Sequence, residues 1–271
     1  AIGSSAHANN YQTTAIGRFA KAYGAGSNAV GYEARAEGDY SNAMGYEAKA
    51  YGDRSNAIGY KTIVGKTHGK TRTDSTAIGS NNTVDAKEVM VLGNNVEIDS
   101  KDKIRDGAVV LGDKSTGKEH TVKAVNSATV GKTTYSGFAG NLDNKGTDVT
   151  EPNDKQGRFI SIGSKDNERQ IKHVAAGWID ADSTDAINGS QLYAVAGTIN
   201  NVANSVKNII GGNTSISPNG QVTVTNIGGT GKNTVHDAIK HANDRVDNIR
   251  QRTSDVKVKA GDNIDVKETY D

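Results

Sequence analysis

The sequence contains no cysteine, so no disulfide or thiolate-metal framework holds this chain together. Aromatic residues make up 5% of it and hydrophobic residues 34%. A compact core of ordinary thickness is hard to build from so little. No apolar run approaches the ~20 residues of a membrane-spanning helix, and no secretory leader is visible. Neither sign of charge prevails. Lys plus Arg number 32 and Asp plus Glu 31, a net charge of +1, which lacks the basic surplus of a nucleic-acid binder. What the 271 residues do hold is glycine, 32 of them, and repetition.

A small residue, an aliphatic and a glycine recur at Ala1-Ile2-Gly3, Ala15-Ile16-Gly17, Ala29-Val30-Gly31, Ala43-Met44-Gly45 and Ala57-Ile58-Gly59, each 14 residues apart. Further copies stand at Ala77-Ile78-Gly79, Val91-Leu92-Gly93 and Val110-Leu111-Gly112 after steps of 20, 14 and 19. Weaker copies are Thr129-Val130-Gly131 and Ser161-Ile162-Gly163. Half a repeat away, Ala20, Ala22 and Gly24 alternate with charged or aromatic residues, as do Ala34, Ala36, Gly38 and Ala48, Ala50, Gly52. Period-two alternation is the mark of a strand with one face in and one out. Inward residues no larger than alanine require two walls close together. Ser-Asn pairs at 27–28, 41–42 and 55–56 supply turn chemistry.

One repeat is therefore two short strands and two turns, unable to bury its apolar side alone. Copies stacked at ~4.8 Å per coil can do so, building a parallel β-roll roughly 40 to 45 Å tall from about nine coils. Ile16, Val30, Met44, Ile58, Ile78, Leu92 and Leu111 are predicted to fall into one ladder. Such strict aliphatic spacing argues against a disordered linker. The chain begins inside a repeat and reads as a piece of something longer.

After Ile171 the period changes. Leu192, Val195, Ile199, Val202, Val206 and Ile209 are spaced 3, 4, 3, 4, 3, a heptad seam. Asp185 or Ser190 is expected to cap the start of that helix. Val235, Ile239, Ala242, Val246 and Ile249 form a second seam. Between them, Ile216 and Val222 flank Ser217-Pro218-Asn219-Gly220, a strand-turn-strand signal. The end, VKVKAGDNIDVKE, reads as two more strands. Both seams are narrow and must meet copies of themselves. Beta-branched residues at both seam positions favour three chains over two.

Roll and neck together resemble the trimeric autotransporter adhesins of the Yersinia adhesin type. The roll carries xAxAxG and SNAIG strands. The neck carries Arg169-Gln170-Ile171-Lys172-His173-Val174-Ala175-Ala176-Gly177, then Asp185-Ala186-Ile187-Asn188 and Gln191-Leu192, similar to that family's VAAG…DAxN…QL. Trp178 and Gly189 depart from the usual pattern. Gly228 to Ile239 is similar to connectors that join stalk segments in the family. The resemblance implies a mainly β fold: a trimeric left-handed parallel β-roll head, then a neck, a short parallel coiled coil and a small β connector. The expected divisions are head 1–166, neck 167–191, coiled coil 192–210, β connector 211–234, helix or coiled coil 235–252, and a β segment 253–271 continuing into further stalk.

The same resemblance implies a homotrimer on the bacterial outer-membrane surface, its anchor outside this piece, attaching to host extracellular-matrix proteins or cell-surface receptors. With the seams, it places the trimer interface at Val174, Trp178, Ile187, Leu192, Val195, Ile199, Val202, Val206, Ile209, Val235, Ile239, Val246 and Ile249. The insertion 61–76, with Lys61, Lys66, Lys70 and Arg72, is an outward basic loop suited to an acidic partner. Tyr32 and Tyr46, recurring near turns, are either a stacking ladder or a contact surface. The polar stretch 140–158 either carries recognition or braces the roll against a neighbour. Rival readings are a phage or virus fibre, or a carbohydrate-binding β-solenoid.

No enzyme, cofactor or metal is expected. GGTGKNT lacks the phosphate-loop pattern, with Asn226 and Asn233 where glycine and Ser/Thr are needed. The acidic run from Asp180 has Asp185 and Gln191 where a calcium loop needs glycine and glutamate. No two of the six histidines have i, i+4 zinc spacing.

Overall fold

The computed structural model describes residues 1–65, 74–98, 106–117, 125–140 and 159–254. They fall into two compact units, one of residues 1–173 with 178–184, the other of residues 174–177 with 185 onward.

The first unit is the β-roll. In each regular coil a three-residue strand such as Asn28–Val30 is followed by a turn, a two-residue strand such as Arg35–Ala36, and a second turn. Stacking these coils makes two parallel sheets. The first, eight strands among the described residues, runs from Thr14–Ile16 to Ile160–Ser161; the second, seven strands, runs from His7–Ala8 to Glu97–Ile98. Register follows the repeat residue for residue: Ala15 pairs with Ala29, Ala29 with Ala43, Ala43 with Ala57, Ala57 with Ala77. The irregular steps leave it intact: Ala57 pairs with Ala77 across a step of 20 and Val91 with Val110 across one of 19. Backbone bonds run from coil to coil, as from Gly31 N–H to the Ile16 carbonyl at 2.8 Å.

The core lies between the sheets and is almost wholly alanine in the regular coils. Ala15, Ala29, Ala43 and Ala57 from one wall meet Ala20, Ala22, Ala34, Ala36, Ala48 and Ala50 from the other, all fully buried. Further along, Val64, Val84, Val91, Val96, Ile98 and Val110 take over. So little space separates backbones that two glycines per coil are obligatory. Gly31 has φ +132° and a Cβ there would lie 2.3 Å from the Gly45 carbonyl oxygen; at Gly38 the clash with the Gly52 carbonyl would be at 2.1 Å. In two successive coils both turns put a non-glycine residue in the left-handed region, Glu33 and Tyr40 in one, Glu47 and Arg54 in the next, while in the coil before them Phe19 and Gly26 hold these places.

One expectation needs correction. Stacking aligns the aliphatic ladder as predicted, Ile16 with Val30, Met44, Ile58, Ile78, Leu92 and Leu111, and leaves it outside the core. The alanine beside each aliphatic faces the core and the aliphatic faces outward. Thr129-Val130-Gly131 is not a coil of the roll. Ser127–Val130 pairs antiparallel with Thr133–Ser136, because Gly131, at φ +62°, makes a tight hairpin turn. The other weak copy is a coil, with Ser161 in register with Val110.

The second unit contains helix α1 (Gly189–Ile210), an antiparallel pair Ser215–Ile216 with Val222–Thr223, and helix α2 (Val235–Ser254). Asn188 caps α1, correcting Asp185 and Ser190: its Oδ1 accepts the N–H groups of Ser190 and Gln191. Thr234 opens α2, its Oγ1 accepting the Asp237 N–H at 3.1 Å and donating to the Asp237 carboxylate at 2.6 Å. The two strands read in VKVKAGDNIDVKE lie outside the described residues.

Candidate functional site

The roll presents two kinds of surface. On the outer face of the eight-stranded sheet stands the aliphatic ladder, with Met44 44% and Leu92 54% exposed. Beside it runs an amide ladder. Asn28 Nδ2 donates to Asn42 Oδ1 and Asn42 Nδ2 to Asn56 Oδ1, both at 2.8 Å, and Asn56 Nδ2 to Thr76 Oγ1 at 3.0 Å. Further up, Met90 and Ile160 occupy that column, Thr76 in register with Met90, Met90 with Val109 and Val109 with Ile160, and both are exposed. The sheet thus displays an apolar stripe stiffened by side-chain hydrogen bonds, and this stripe was absent from the expected interface. The signal was in the triplet, where one large aliphatic stands between residues too small to be anything but core.

The second surface is a turn edge. Tyr32 stacks on Tyr46 at 5.1 Å between ring centroids and 12° between planes, and Tyr46 on Tyr60 at 5.3 Å and 15°. Phe19 meets Tyr32 edge-on at 6.1 Å. The 14-residue step places one ring directly above the last. A hydrogen bond to Glu33 holds the Tyr32 hydroxyl above the usual tyrosine range, and one to Glu47 does the same for Tyr46. Lys61 closes the row, its Nζ 5.2 Å from the centre of the Tyr60 ring. Hydrogen bonding to Tyr60, then the Glu47 charge, raises its pKa. Lys61, Tyr32 and Tyr46 are therefore brought to one edge. Lys66, Lys70 and Arg72 lie outside the described residues, as do 141–158 of the polar stretch.

On the seven-stranded sheet Arg35 sits between two tyrosines, its Cζ 5.7 Å from the centre of the Tyr23 ring and 5.9 Å from that of Tyr51, and it pairs with Glu37. Burial lifts the Tyr51 pKa and Arg35 opposes that.

Near the last coil, Arg169 gives the motif arginine a role. Its Nη1 donates to the Ile162 carbonyl at 2.7 Å and Nη2 to the Asp113 carbonyl at 2.7 Å. It thereby satisfies main-chain acceptors that no further coil reaches among the described residues. In the second unit the spacing of the neck motif is explained by two amides. Gln191 Nε2 donates to the Gly177 carbonyl at 2.7 Å, and Oε1 accepts the N–H groups of Gly177 at 3.0 Å and Asn188 at 3.2 Å. Asn188 Nδ2 donates to the Val174 carbonyl at 3.1 Å. A segment without secondary structure is thus pinned to the start of α1.

The seam residues carry no such partners. Helix α1 buries none of its 22 residues; Leu192 is 66% and Ile209 84% exposed, and Val195, Ile199, Val202 and Val206 are exposed as well. In α2 Val235, Ile239, Val246 and Ile249 are likewise exposed, as are Val174, Trp178 and Ile187.

The glycine loop and the acidic run are both closed by local hydrogen bonds. Asn226 Oδ1 accepts the Gly231 N–H at 2.8 Å, and Asn233 Oδ1 accepts the Asn226 N–H at 3.2 Å, so the glycine loop is closed by its own side chains. Asp180 accepts from the Trp178 indole and the Asp182 N–H. Among the described residues no cluster of three or more His, Asp or Glu is placed to hold a metal ion.

Comparison with known proteins gives the surfaces a context. The model of the YadA head domain repeat matches at residues 1–20, 8–34, 22–41, 36–62 and 73–95, and that of the coiled stalk of trimeric autotransporter adhesin at 170–215. The trimeric autotransporter adhesin AtaA of Acinetobacter sp. (strain Tol 5) is 46% identical over 105 residues, and the autotransporter adhesin BtaE of Brucella suis 55% identical over 47. Those matches cover 37% and 17% of this chain but only 3% and 6% of the relatives' lengths. Among solved structures, the collagen-binding domain of Yersinia adhesin YadA aligns at 23% identity and a TM-score of 0.42, covering 71% of this chain and 87% of that one. The C-terminal YadA-like domain of a Burkholderia pseudomallei protein aligns at 30% identity and a TM-score of 0.33, covering 56% and 61%.

Proposed function

We propose that this chain is the head and first stalk of a bacterial surface adhesin working as a homotrimer, a reading supported by head-repeat matches within residues 1–95 and a coiled-stalk match at 170–215. The observation that carries this reading is the seam of α1, which stands exposed along a helix that buries none of its residues. Six large aliphatics on one stripe of a lone helix are stable only against their like. Three copies cover the stripe with threefold symmetry. The exposed aliphatic ladder from Ile16 to Leu111 supports the same assembly on the roll.

The neck, seam and second-seam positions from Val174 to Ile249 named above are the interface of that trimer. The divisions are a head to 166, a neck to 191, and stalk segments beyond. The partner is a host extracellular-matrix protein or cell-surface receptor, met outside the outer membrane. Recognition falls to the turn edge of Tyr32, Tyr46 and Lys61, where rigid aromatic edges lose little entropy on binding. Three identical edges on a stiff platform convert weak contacts into firm attachment. No catalysis is needed for this task.

The test is Val202→Glu with Val206→Glu. The variant should sediment as a single chain, keep the β spectrum of the roll and lose attachment to matrix-coated surfaces. Undiminished attachment by the single chain would refute the multivalent mechanism. Loss of attachment in a trimeric Tyr32→Ala, Tyr46→Ala, Lys61→Ala variant tests the edge separately.

A further inference from the structure

We propose that Asn219 is a site of spontaneous covalent change, losing its side-chain amide to leave aspartate or isoaspartate in the turn of the β connector. The sequence holds two Asn-Gly pairs, Asn188-Gly189 and Asn219-Gly220. Glycine has no side chain to shield the main-chain nitrogen that follows an asparagine, so both pairs have the composition for the reaction. Their surroundings give them opposite fates.

Asn188 is held at both ends of its amide. Its Oδ1 accepts the N–H groups of Ser190 and Gln191 at 3.1 and 3.3 Å, and its Nδ2 donates to the Val174 carbonyl at 3.1 Å. Gly189 is already the first residue of α1. Cyclisation there must give up the helix cap and the tie to the neck together. Asn219 and Gly220 instead stand exposed in the turn that joins Ser215–Ile216 to Val222–Thr223. Asn219 Oδ1 accepts the Ser217 hydroxyl and, at 3.4 Å, the Gln221 N–H. The hydroxyl is itself fixed by accepting the Gln221 N–H at 3.1 Å. Donors on that oxygen draw electrons from Cγ and steady the negative charge that attack places there. The oxygen of Asn188 is engaged too, so the difference lies at the nitrogen and in the backbone. Asn219 Nδ2, the departing group, has no hydrogen-bond partner among the described residues. The main-chain bond that must yield is that from the Gly220 N–H to the Ser217 carbonyl, at 2.9 Å.

In the reaction the Gly220 nitrogen attacks Asn219 Cγ. The new C–N bond closes a succinimide ring, the Cγ–Nδ2 bond breaks, and the proton lost by Gly220 leaves with ammonia. Water then opens the ring at either carbonyl, giving aspartate or, with the main chain rerouted through the side chain, isoaspartate. Water is consumed, ammonia is released, and nothing is oxidised or reduced. Either product adds a negative charge to the connector turn as the protein ages.

The experiment keeps the whole chain in mildly alkaline buffer beside a urea-unfolded sample, until the unfolded sample has lost amide at both asparagines. Digestion and fragment mass spectrometry locate each amide-to-acid change, and an isoaspartate-specific methyltransferase labels the rerouted product. In the folded chain Asn219 should convert several-fold faster than Asn188, and urea should bring the two rates together. Gly220→Ala should slow Asn219 several-fold even in urea, where folding plays no part. An Asn188 that converts as fast as Asn219 in the folded chain, or an Asn219 that stays intact there, overturns the proposal. An undiminished rate in Gly220→Ala overturns the ring-closing step.

Discussion

Gln191 and Gly177 hold one another by two antiparallel hydrogen bonds, amide to backbone, at 2.7 and 3.0 Å. The side chain imitates a strand neighbour for a residue that has none. Gln191→Glu keeps the acceptor for the Gly177 and Asn188 N–H groups but sets a carboxylate oxygen against the Gly177 carbonyl. The neck should lose about 1–3 kcal/mol. Asn188→Ala removes the helix cap and should cost ~1 kcal/mol. Urea unfolding followed by Trp178 fluorescence reads both, and a Gln191→Glu midpoint equal to wild type would show that the pairing contributes nothing.

Within the roll, the closeness of the walls sets the harshest substitution. Gly31→Ala puts a methyl 2.3 Å from the Gly45 carbonyl oxygen, at a φ of +132°. The two coils cannot part without breaking the backbone bond from the Gly45 N–H to the Val30 carbonyl, 2.8 Å. A loss of about 3 kcal/mol or more is expected in thermal unfolding. Ala36→Leu overpacks the same space from the other wall and should cost ~1–3 kcal/mol.

The opposite sign is expected at an exposed turn. Glu88 holds φ +55°, a conformation that strains a side chain and suits glycine. Glu88→Gly should leave stability unchanged or raise it by up to about 1 kcal/mol, and a marked fall in melting temperature would show that Glu88 makes a contact of consequence.

How much of this was legible beforehand depends on what each residue must touch. The 14-residue step alone settles which alanine pairs with which, since parallel register is a counting problem once Gly31 and Gly45 must abut. The facing of Ile16 and Met44 was less plain. An aliphatic usually points inward, and only the obligatory glycines leave no room for it. Thr129-Val130-Gly131 carries the triplet without the alternating alanines opposite, so it folds on itself as a hairpin. At the neck, Asp185 and Asn188 are both good caps on paper. Asn188 wins because it has an amide hydrogen for the Val174 carbonyl as well as an oxygen for the helix. The Tyr32–Tyr46 stack was foreseeable from spacing, its tie to Glu33 and Glu47 only from the left-handed turns.

Those tyrosines make stability depend on alkaline pH. Tyr32 and Tyr46 have pKa values raised above the ordinary ~10 of the unfolded chain by hydrogen bonds to Glu33 and Glu47. A raised folded value means the folded state keeps its protons longer. The associated stability is whole below about pH 10 and lost as pH climbs through the folded values. Melting temperature should therefore fall more steeply above pH 10 in wild type than in Tyr32→Phe, Tyr46→Phe. Equal slopes would separate the tyrosines from the effect.

The strict register from coil to coil also bears on how such a molecule changes over generations. If residues 30–43 were excised, Ala29 would be followed by Met44, and Met44 would find Ile16 beneath it just as Val30 does now. Every surviving rung keeps an equivalent neighbour, so misaligned recombination between neighbouring gene segments can shorten or lengthen the head in whole steps while the protein stays foldable. The height of the roll becomes a heritable quantity that can be adjusted without redesigning any single part.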